Sequence, residues 1–475
     1  MKKILFASLL VLAALSATAQ ERKEVHILSA NDMHAAIECF PRLGFIADSL
    51  RALYPDLLIL SAGDNRSGDP LNDMYEIPAY PMVALMNIVG FHATTLGNHE
   101  FDSGQQGLAK LISMSNFSYI CANAHPAAST NIHIRPYQVF DVGGVKLGIV
   151  GAVALGSLGK PESHPDNMTD ITFTDPLETI KQYEFLRKEC DVVLLLSHLG
   201  FEDDVKFSSS LPWVDLIVGG HSHTQLKGGE VHNGLLITQN VNRLERVTHI
   251  TLTLENGKVI GKKAENIAVR GAENKNKVIG LLADYFCNNP DFDRTVATAD
   301  APFSTYEELG CLMADAFREE SNADIGFQNY GGVRYDVHAA GPITVKDILT
   351  LDPFQNDVVE VNVTGKELID MLCQCFDNDQ LRFPLVSGMT AEYAVDPVTK
   401  KLKKVILYGT DGKKLNLKKT YRVATNSYVL AICPTNRKDE GRSLGFTTAE
   451  LIMKYLEHQG HVNYQGRTCL KKIGK

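Results

Sequence analysis

The sequence predicts an α/β protein with two domains that are joined by a helix. The chain has 475 residues, which is enough for two or three domains of ordinary size. Between about residue 24 and residue 270, short apolar runs alternate with stretches of helical pattern, and a second unit of the same kind begins near Arg294. Hydrophobic residues make up 44% of the chain and charged residues 22%, a balance that is typical of a globular protein.

The first residues are typical of a signal peptide. Two lysines at positions 2 and 3 precede an apolar run over residues 4–15, and Ala17-Thr18-Ala19 resembles a cleavage site before Gln20. The alternative is a membrane anchor, but this run is too short to span a bilayer, and no later segment is a candidate. No cysteine follows the run directly, which disfavours a lipid anchor. We therefore expect residues 1–19 to be a signal peptide and the mature protein to be exported, periplasmic or secreted.

The first domain is expected to cover residues 20–271 and to contain a largely parallel sheet. Buried strands are predicted where apolar runs of four or five residues occur, over residues 25–29, 57–60, 93–96, 146–150, 192–196 and 214–218. Residues 245–269 alternate between apolar and polar around Asn256-Gly257, a pair that favours a tight hairpin turn. This hairpin closes the predicted domain.

A helix is predicted to join the two domains. Residues 272–293 are charged at first and then amphipathic, and Pro290 ends the pattern. The second domain then covers residues 294–475. Its predicted helices are at 309–320, 345–349, 366–376 and from 448 onward, and its predicted strands are at 324–328, 358–363 and 421–425, with a hairpin over 391–415.

Charge and cysteine content exclude several classes of function. The net charge is −9, so the chain lacks the basic surface that a nucleic acid polymer or an anionic membrane would need. A small anionic ligand would need local positive charge, which a bound metal can supply. The nine cysteines are scattered, without a spacing typical of a zinc site or a disulfide framework. The sequence predicts neither a disulfide pattern nor an oligomeric state.

Polar motifs follow strand-like runs at five places in the first domain. They are Asp32-Met33-His34, Gly63-Asp64-Asn65, Gly97-Asn98-His99-Glu100-Phe101-Asp102, Ser197-His198 and Gly219-Gly220-His221-Ser222-His223. Carboxylate, imidazole and amide groups of this kind bind Zn²⁺, Mn²⁺ or Co²⁺, and Asp64 has two oxygens that could bridge two ions. Two neighbouring ions can activate water and hold a phosphoryl group. A single histidine after a strand is more often a surface or core residue, but the whole set indicates a two-metal phosphoesterase.

These motifs also resemble a known family. Residues 31–34, 63–65, 97–102 and 220–224 are similar to the motifs of calcineurin-like metallophosphoesterases, and within these to the 5′-nucleotidase/UDP-sugar hydrolase family. The resemblance covers nearly the whole mature chain. One departure is Ala35, where the family usually has glycine. The resemblance implies a four-layer αββα sandwich followed by a second α/β domain that binds substrate, with a helix between them.

The resemblance also implies roles for individual residues of the first domain. Site one would consist of Asp32, His34, Asp64 and His223, and site two of Asp64, Asn98, His198 and His221. His99 and Asp102 would be a catalytic pair, in which Asp102 orients the imidazole of His99. The alternative is that His99 only supports the Asn98 loop. Arg66 lies near the metal loop and could contact phosphate, although an exposed surface role is an equal alternative.

In the second domain the resemblance implies a nucleotide pocket. Asn329 and Arg334 belong to an Asn-x-Gly-Gly-x-Arg element, and Arg334 would contact phosphate or ribose oxygens. Phe354 would stack on the base and Asn356 would hydrogen-bond to its edge. The bland alternatives are a core Phe354 and a surface Arg334. For the second stacking aromatic we expect Phe446, with Tyr428 in reserve.

The family's activity supplies the functional hypothesis. It implies an exported phosphohydrolase with two divalent ions, Zn, Mn, Co or similar, that cleaves nucleoside 5′-monophosphates to nucleoside and phosphate by attack of a metal-bridging hydroxide. UDP-sugar or 2′,3′-cyclic nucleotide hydrolysis are alternatives within the family, and a sulfur-ester hydrolase is a more distant one. From a different class, a non-catalytic periplasmic nucleotide-binding protein is possible. Departures from the family pattern over residues 304–311 leave the nucleotide specificity open.

Overall fold

The structure is a computed structural model that describes residues 21–335, 337–378, 381–433, 435 and 437–472. The predicted signal peptide, residues 1–19, lies outside these residues. Among the helices of the described residues, none is both long and apolar enough to cross a bilayer.

The first domain contains two six-stranded sheets. Its strands are β1 (Arg22–Ala30), β2 (Leu58–Ser61), β3 (Ala93–Thr94), β4 (Ser118–Tyr119), β5 (Ala124–Pro126), β6 (Tyr137–Val142), β7 (Val145–Val153), β8 (Ile171–Phe173), β9 (Val192–His198), β10 (Leu216–Val218), β11 (Glu230–His232), β12 (Leu235–Thr238), β13 (Arg246–Glu255) and β14 (Lys258–Ala268). One sheet has the order β14-β13-β1-β2-β3-β4 and the other β11-β12-β10-β9-β7-β6, while β5 and β8 form a separate pair. The predicted buried strands and the hairpin at Asn256-Gly257 are confirmed.

Helices cover the outer faces of both sheets. They are α1 (Phe40–Leu53), α2 (Pro70–Asp73), α3 (Tyr80–Val89), α4 (Gly104–Met114), α5 (Pro176–Ile180), α6 (Leu186–Glu189), α7 (Phe201–Ser208) and α8 (Lys277–Cys287). A core between the sheets joins side chains of β1 and β2 to those of β7, β9 and β10. Separate cores lie between the first sheet and α1, α3 and α8, and between the second sheet and α5–α7. The four-layer αββα sandwich is therefore confirmed.

Parallel pairing brings the motif loops together. Strands β1, β2 and β3 are parallel neighbours in one sheet, and β7, β9 and β10 are parallel neighbours in the other. The loops that leave the carboxyl ends of parallel strands meet at the same edge, where ligand sites of α/β proteins lie. Four of the polar motifs follow β1, β2, β3 and β10, and the fifth, Ser197-His198, forms the carboxyl end of β9 itself.

The connecting helix α8 packs on the first domain. Asn276 caps it by accepting a hydrogen bond from the backbone N–H of Ile279 at 3.0 Å, so the helix is shorter than the predicted segment. Ile279, Ala283 and Phe286 are buried in the core that α1 and α3 also line. A short 3₁₀ turn, Pro290–Asp293, leads into the second domain.

The second domain is built on a five-stranded mixed sheet. Its strands are β15 (Thr295–Ala299), β16 (Ile325–Gln328), β17 (Gly341–Thr344), β18 (Asp357–Thr364), β19 (Leu385–Ser387), β20 (Met389–Val395), β21 (Leu402–Gly409), β22 (Thr420–Asn426), β23 (Arg442–Thr447), β24 (His461–Val462) and β25 (Leu470–Lys472). Its helices are α9 (Tyr306–Glu320), α10 (Val345–Leu351), α11 (Gly365–Asn378), α12 (Ser427–Ile432) and α13 (Thr448–Gln459). The central sheet has the order β19-β16-β22-β18-β23, and two three-stranded sheets flank it.

Candidate metal centre and substrate cavity

The backbone of the motif loops is strained. Five candidate ligands adopt a left-handed conformation, with φ of 47° at Asp32, 42° at His34, 50° at Asp64, 78° at His221 and 52° at His223. This conformation costs a non-glycine residue roughly 1–2 kcal/mol and persists only where the surroundings enforce it. Its concentration in these loops is typical of a functional site.

Glu100 fixes two of the loops to each other. Its buried carboxylate accepts hydrogen bonds from the backbone N–H groups of Asp64 at 2.9 Å, Asn65 at 2.8 Å and Gly97 at 2.6 Å. Gly97 has to be glycine, because a Cβ at this position would overlap Oδ1 of Asp64. The Asp64 carboxylate is thus held against the loop that carries Asn98 and His99.

The residues expected at site one meet around the end of β1. Nε2 of His223 lies 3.3 Å from Oδ1 of Asp32 and 3.3 Å from Nε2 of His34, which in turn lies 4.0 Å from Oδ2 of Asp64. Nδ1 of His34 is 2.8 Å from the carbonyl of Ser67, so the outer nitrogen of this imidazole is engaged and Nε2 faces the carboxylates. Such outer contacts orient the histidines of metal sites.

The residues expected at site two also meet close to Asp64. Nε2 of His198 lies 3.1 Å from Oδ2 of Asp64, and Nδ1 of His221 lies 3.1 Å from Oδ1 of Asn98. Nδ1 of His198 contacts the carbonyl of Ala62 at 2.6 Å. The buried Nε2 makes no hydrogen bond of acceptable geometry despite its closeness to Asp64. A buried nitrogen that faces a carboxylate without a hydrogen bond fits a cation between the two, so the donor set suits a metal ion.

The protonation states also suit a cation. Burial raises the pKa of Asp32, but His223 and His198 outweigh it and lower the pKa to about 2. Burial, with repulsion from His198, lowers the pKa of His221 to about 4. Burial would also lower the pKa of His198, yet the carboxylate of Asp64 outweighs this effect and raises the pKa to about 10. The carboxylates thus favour positive charge at this position, and a metal ion would supply that charge to a deprotonated imidazole.

His99 and Asp102 form the predicted pair beside this centre. Nδ1 of His99 is 2.8 Å from Oδ2 of Asp102, which also accepts a hydrogen bond from the hydroxyl of Ser67 at 2.5 Å. The other oxygen of Asp102 accepts a hydrogen bond from Ser163 at 2.8 Å. Burial works against a charged His99, but Asp102 and Asp64 outweigh it and raise its pKa. The imidazole is therefore oriented and suited to carry a proton.

A cavity of about 410 Å³ lies between the two domains over this centre. The first domain contributes His34, Asp64 and His99, and the second contributes the loop from Gln328 to Arg334. A ligand in this cavity would contact the metal loops and the second domain at the same time, as ligands of pockets between domains do.

The structure places four of the predicted substrate residues in this cavity. A terminal nitrogen of Arg334 lies 3.3 Å from Nε2 of His99, and its guanidinium carbon lies 5.3 Å from the Phe354 ring centroid. Asn329 accepts a hydrogen bond from Asn426 at 2.9 Å. Asn356 also lines the cavity.

Two expectations need correction. Phe446 is 42% exposed on the edge strand β23, where Lys454 covers its ring, and it lies outside the cavity lining, whereas Tyr428 belongs to it. Tyr428 therefore replaces Phe446 as the candidate for the second aromatic. Arg66 matches neither alternative, because it is buried, donates a hydrogen bond to Ser103 and does not line the cavity.

Several cavity residues were not predicted from the sequence. Tyr306 and Tyr330 stack with ring centroids 4.1 Å apart, and the guanidinium of Arg382 lies 4.7 Å from the Tyr330 ring centroid. Arg243 of the first domain also lines the cavity. Tyr330 occupies the variable position of the Asn-x-Gly-Gly-x-Arg element, and Tyr306, Arg382 and Arg243 stand outside the motifs. No local signal therefore marks these residues, and only the tertiary structure brings them to the site.

Two family models match the chain. The model of calcineurin-like phosphoesterases matches residues 25–225, and the model of the 5′-nucleotidase C-terminal domain matches residues 279–432. Among curated proteins, a 5′-nucleotidase of Vibrio cholerae serotype O1 is 28% identical over 541 residues, a match that covers 96% of each chain.

Solved structures share the fold. The crystal structure of a 5′-nucleotidase precursor from Thermus thermophilus has a TM-score of 0.84 at 24% identity, over 95% of this chain and 100% of that chain. The sulfate thiohydrolase SoxB of Thermus thermophilus has a TM-score of 0.76 at 16% identity, over 92% of this chain and 83% of its own. Two differently named hydrolases thus have the same architecture, and fold alone does not fix the substrate.

Proposed function

Because the chain belongs to the family that joins a calcineurin-like phosphoesterase domain to a 5′-nucleotidase C-terminal domain, we propose that it hydrolyses nucleoside 5′-monophosphates to nucleoside and phosphate. The chain is a metal-dependent phosphoric ester hydrolase of this family. The observation that carries the substrate proposal is that the metal loops, the His99–Asp102 pair and the second domain meet in one cavity.

Two divalent ions are proposed as cofactors. Asp32, His34, Asp64 and His223 would hold one, and Asp64, Asn98, His198 and His221 the other. Three-residue clusters that include members of each set have ligand atoms within 4.8 Å of one another. When bound, such ions activate water and offset the negative charge of the phosphoryl group. Zn²⁺, Mn²⁺ and Co²⁺ suit this mixture of nitrogen and oxygen ligands.

The His99–Asp102 pair is proposed to act on the phosphoryl group or the leaving group. Asp102 holds Nδ1 of the imidazole, which leaves Nε2 directed at the cavity beside Arg334. From there a protonated His99 can stabilise phosphoryl oxygens or donate a proton to the leaving alkoxide, while Arg334 binds the phosphate through its planar fork.

The second domain is proposed to hold the nucleoside. Phe354 presents an aromatic ring, Asn356 an amide and Tyr428 a phenol in the same cavity. Stacking on an aromatic ring is worth on the order of 1–3 kcal/mol per base.

The proposed export depends on the apolar N-terminal segment, residues 4–15, and on the site at Ala17-Thr18-Ala19. The division into residues 20–271, 272–293 and 294–475 also remains a proposal.

Phosphate release from a substrate panel tests the proposal. The purified protein is loaded with Mn²⁺, Co²⁺ or Zn²⁺ and assayed on nucleoside 5′-monophosphates, UDP-sugars, 2′,3′-cyclic nucleotides and a small aryl phosphate, with EDTA as control. We expect hydrolysis of the monophosphates that EDTA abolishes and added metal restores. Faster turnover of another member would reassign the substrate. Nucleotide binding without hydrolysis under every metal would instead favour the non-catalytic alternative.

A further inference from the structure

Arg243 and Arg334 reach the same cavity from different domains. Arg243 lies in the segment that joins β12 to β13 in the first domain, and Arg334 follows the 3₁₀ turn Tyr330–Gly332 in the second. Both line the cavity. Arg334 was expected there, whereas Arg243 belongs to no motif, so its presence needs an explanation of its own.

The guanidinium of Arg243 is anchored beside the reacting groups. One of its terminal nitrogens donates a hydrogen bond to the carbonyl of Gly68 at 3.0 Å. The preceding residue, Ser67, contacts Nδ1 of His34 through its carbonyl and Asp102 through its hydroxyl. Arg243 is therefore attached to the short segment that links a candidate metal ligand to the His99–Asp102 pair.

The backbone at Arg243 is held in a strained conformation. Arg243 and Leu244 are consecutive left-handed residues, with φ of 54° and 51°. The backbone N–H of Arg243 donates to the carbonyl of Asp32 at 2.8 Å, which ties this turn to the loop of the metal centre. Strain in two adjacent non-glycine residues, held by contacts to a functional loop, is typical of binding sites.

The carboxylates around Arg243 are engaged elsewhere. Asp69 and Glu38 are the acids that most strongly raise the pKa of Arg243 against the effect of burial. Asp69 lies 3.4 Å from Nζ of Lys346, and Glu38 lies 2.9 Å from the guanidinium of Arg270. Among the described residues, no carboxylate forms an ion pair with Arg243 or Arg334 within 4.0 Å.

Arg243 and Arg334 also repel each other. Burial lowers the pKa of Arg243, and the charge of Arg334 adds to this effect. Two cations that share a cavity without a paired acid form a site for an anion, because the anion removes the repulsion and gains two charged partners. Guanidinium groups bind phosphate through paired N–H donors, and those bonds are stronger than neutral ones.

We propose that Arg243 and Arg334 form a clamp that holds the phosphoryl group of the substrate between the two domains. The inference rests on the proposed phosphomonoester activity and adds a binding residue from the first domain to it. The same clamp would hold the product, inorganic phosphate. Since one arm comes from each domain, a bound phosphate would contact both domains at once.

Inorganic phosphate is the direct probe of the clamp. We would measure its Kd by calorimetry on the metal-loaded protein, and its competitive inhibition of hydrolysis, for the wild type and for Arg243→Gln. We expect the variant to bind phosphate roughly 10- to 100-fold more weakly, the usual range for a lost charged hydrogen-bond pair. Arg246→Gln is the matched control, because Arg246 is exposed three residues further along. The control should leave phosphate binding unchanged.

Two substrates distinguish a phosphoryl contact from a nucleoside contact. If Arg243 grips the phosphoryl group, Arg243→Gln should raise KM by a similar factor for a nucleoside 5′-monophosphate and for p-nitrophenyl phosphate. A change for the nucleotide alone would overturn the clamp, as would a phosphate Kd within twofold of the wild-type value. Metal content and thermal unfolding must match the wild type; if they do not, Arg243→Lys, which keeps the charge but loses the fork, repeats the comparison.

Failure of the enzymatic proposal has a different signature. A wild-type protein that hydrolyses none of the phosphomonoesters would refute the proposed function. The calorimetric comparison of phosphate binding needs no turnover, so it would still support or overturn the clamp in that case.

Discussion

The imidazole of His99, in the first domain, stacks on the ring of Phe354, in the second, with centroids 5.7 Å apart and an angle of 17° between the planes. A side chain of the proposed catalytic pair is therefore covered by a side chain of the proposed base pocket. The two domains therefore contact each other directly at the cavity, through two of its lining residues.

Replacement of Phe354 should separate nucleoside binding from phosphate chemistry. Phe354→Ala is expected to raise KM for AMP roughly 10-fold or more, since a lost stacking contact is worth about 1–3 kcal/mol. It should leave p-nitrophenyl phosphate nearly unaffected. Steady-state kinetics on both substrates measures this. Equal damage to both would show that Phe354 supports His99 or the fold rather than the base.

Removal of the His99 imidazole should damage catalysis but not metal binding. His99→Ala is expected to keep the metal content and to lower kcat roughly 10²- to 10⁴-fold, the usual scale for a positioned acid or oxyanion group. Metal analysis and kcat are measured on the same preparation. Loss of metal in this variant would show that His99 is a ligand. This outcome has to be tested because His99 belongs to one of the three-residue clusters, with His34 and Asp64.

Asp64 should behave in the opposite way. Its Oδ2 faces both His198 at 3.1 Å and His34 at 4.0 Å, so it is the carboxylate that the two proposed sites would share. Asp64→Ala should therefore lower the occupancy of both ions and abolish activity, because each ion loses a ligand. Metal analysis by mass spectrometry is the measurement. Full occupancy with turnover at the wild-type rate contradicts the shared role.

Ala35 and Ala36 offer a matched test of backbone strain. Both are buried, but φ is 56° at Ala35 and −71° at Ala36. A glycine at either position loses a buried methyl group and gains freedom in the unfolded chain, but only at Ala35 does it relieve a left-handed conformation. Ala35→Gly should thus be less destabilising than Ala36→Gly by roughly 1–2 kcal/mol, measured by urea unfolding. Equal free energies of unfolding would show that Ala35 carries no strain.

Asp204 should make stability depend on pH. Its carboxyl is fully buried, and burial raises its pKa from 3.8 to about 7 although Ser197 donates a hydrogen bond to it at 2.5 Å. The native protein therefore holds this proton more tightly than the unfolded chain. Stability from this group is fully present below pH 3.8 and is lost as the pH rises through about 7.

Asp204→Asn removes this titration. Urea unfolding at several values between pH 4 and pH 9 should show the wild type losing stability relative to the variant, mostly between the two pKa values. The difference between the two proteins is the quantity to follow, because other groups titrate in both. Parallel curves for the two proteins would mean that Asp204 keeps an ordinary pKa in the native state.

The sequence predicts those parts of the molecule that depend on local pattern. Strand β9 is predicted directly by the apolar run that begins at Val192, because a parallel strand that is buried on both faces needs no polar face. The motif loops follow for the same reason, since each begins where such a run ends. Edge strand β23 has mostly exposed residues and no apolar alternation, so nothing marks it as a strand, and Phe446 was misplaced with it.

The rest of the site depends on contacts between distant segments. The side chain of Asn31 bonds both to the backbone N–H and to the carbonyl of Asn240, at 2.9 Å and 2.8 Å, and so fixes the turn that brings Arg243 to the cavity. Arg382 arrives from the other domain, where Tyr330 supports its guanidinium. Neither Arg243 nor Arg382 lies in a recognisable sequence pattern, because a residue that reaches a site only through tertiary packing needs no hydrophobic periodicity around it.

Helix α8, which the sequence predicts to be a connector, packs its apolar side chains into the core of the first domain. Its face of Ile279, Ala283 and Phe286 fills a groove in which Cδ1 of Ile279 leaves no room for a side chain at Gly44. The part of the connection that does not pack in this core therefore begins after Cys287, near the turn Pro290–Asp293. A recombinant first domain that stopped at residue 271 would expose this apolar groove to water. One that extended through residue 288 would keep the helix that covers the groove.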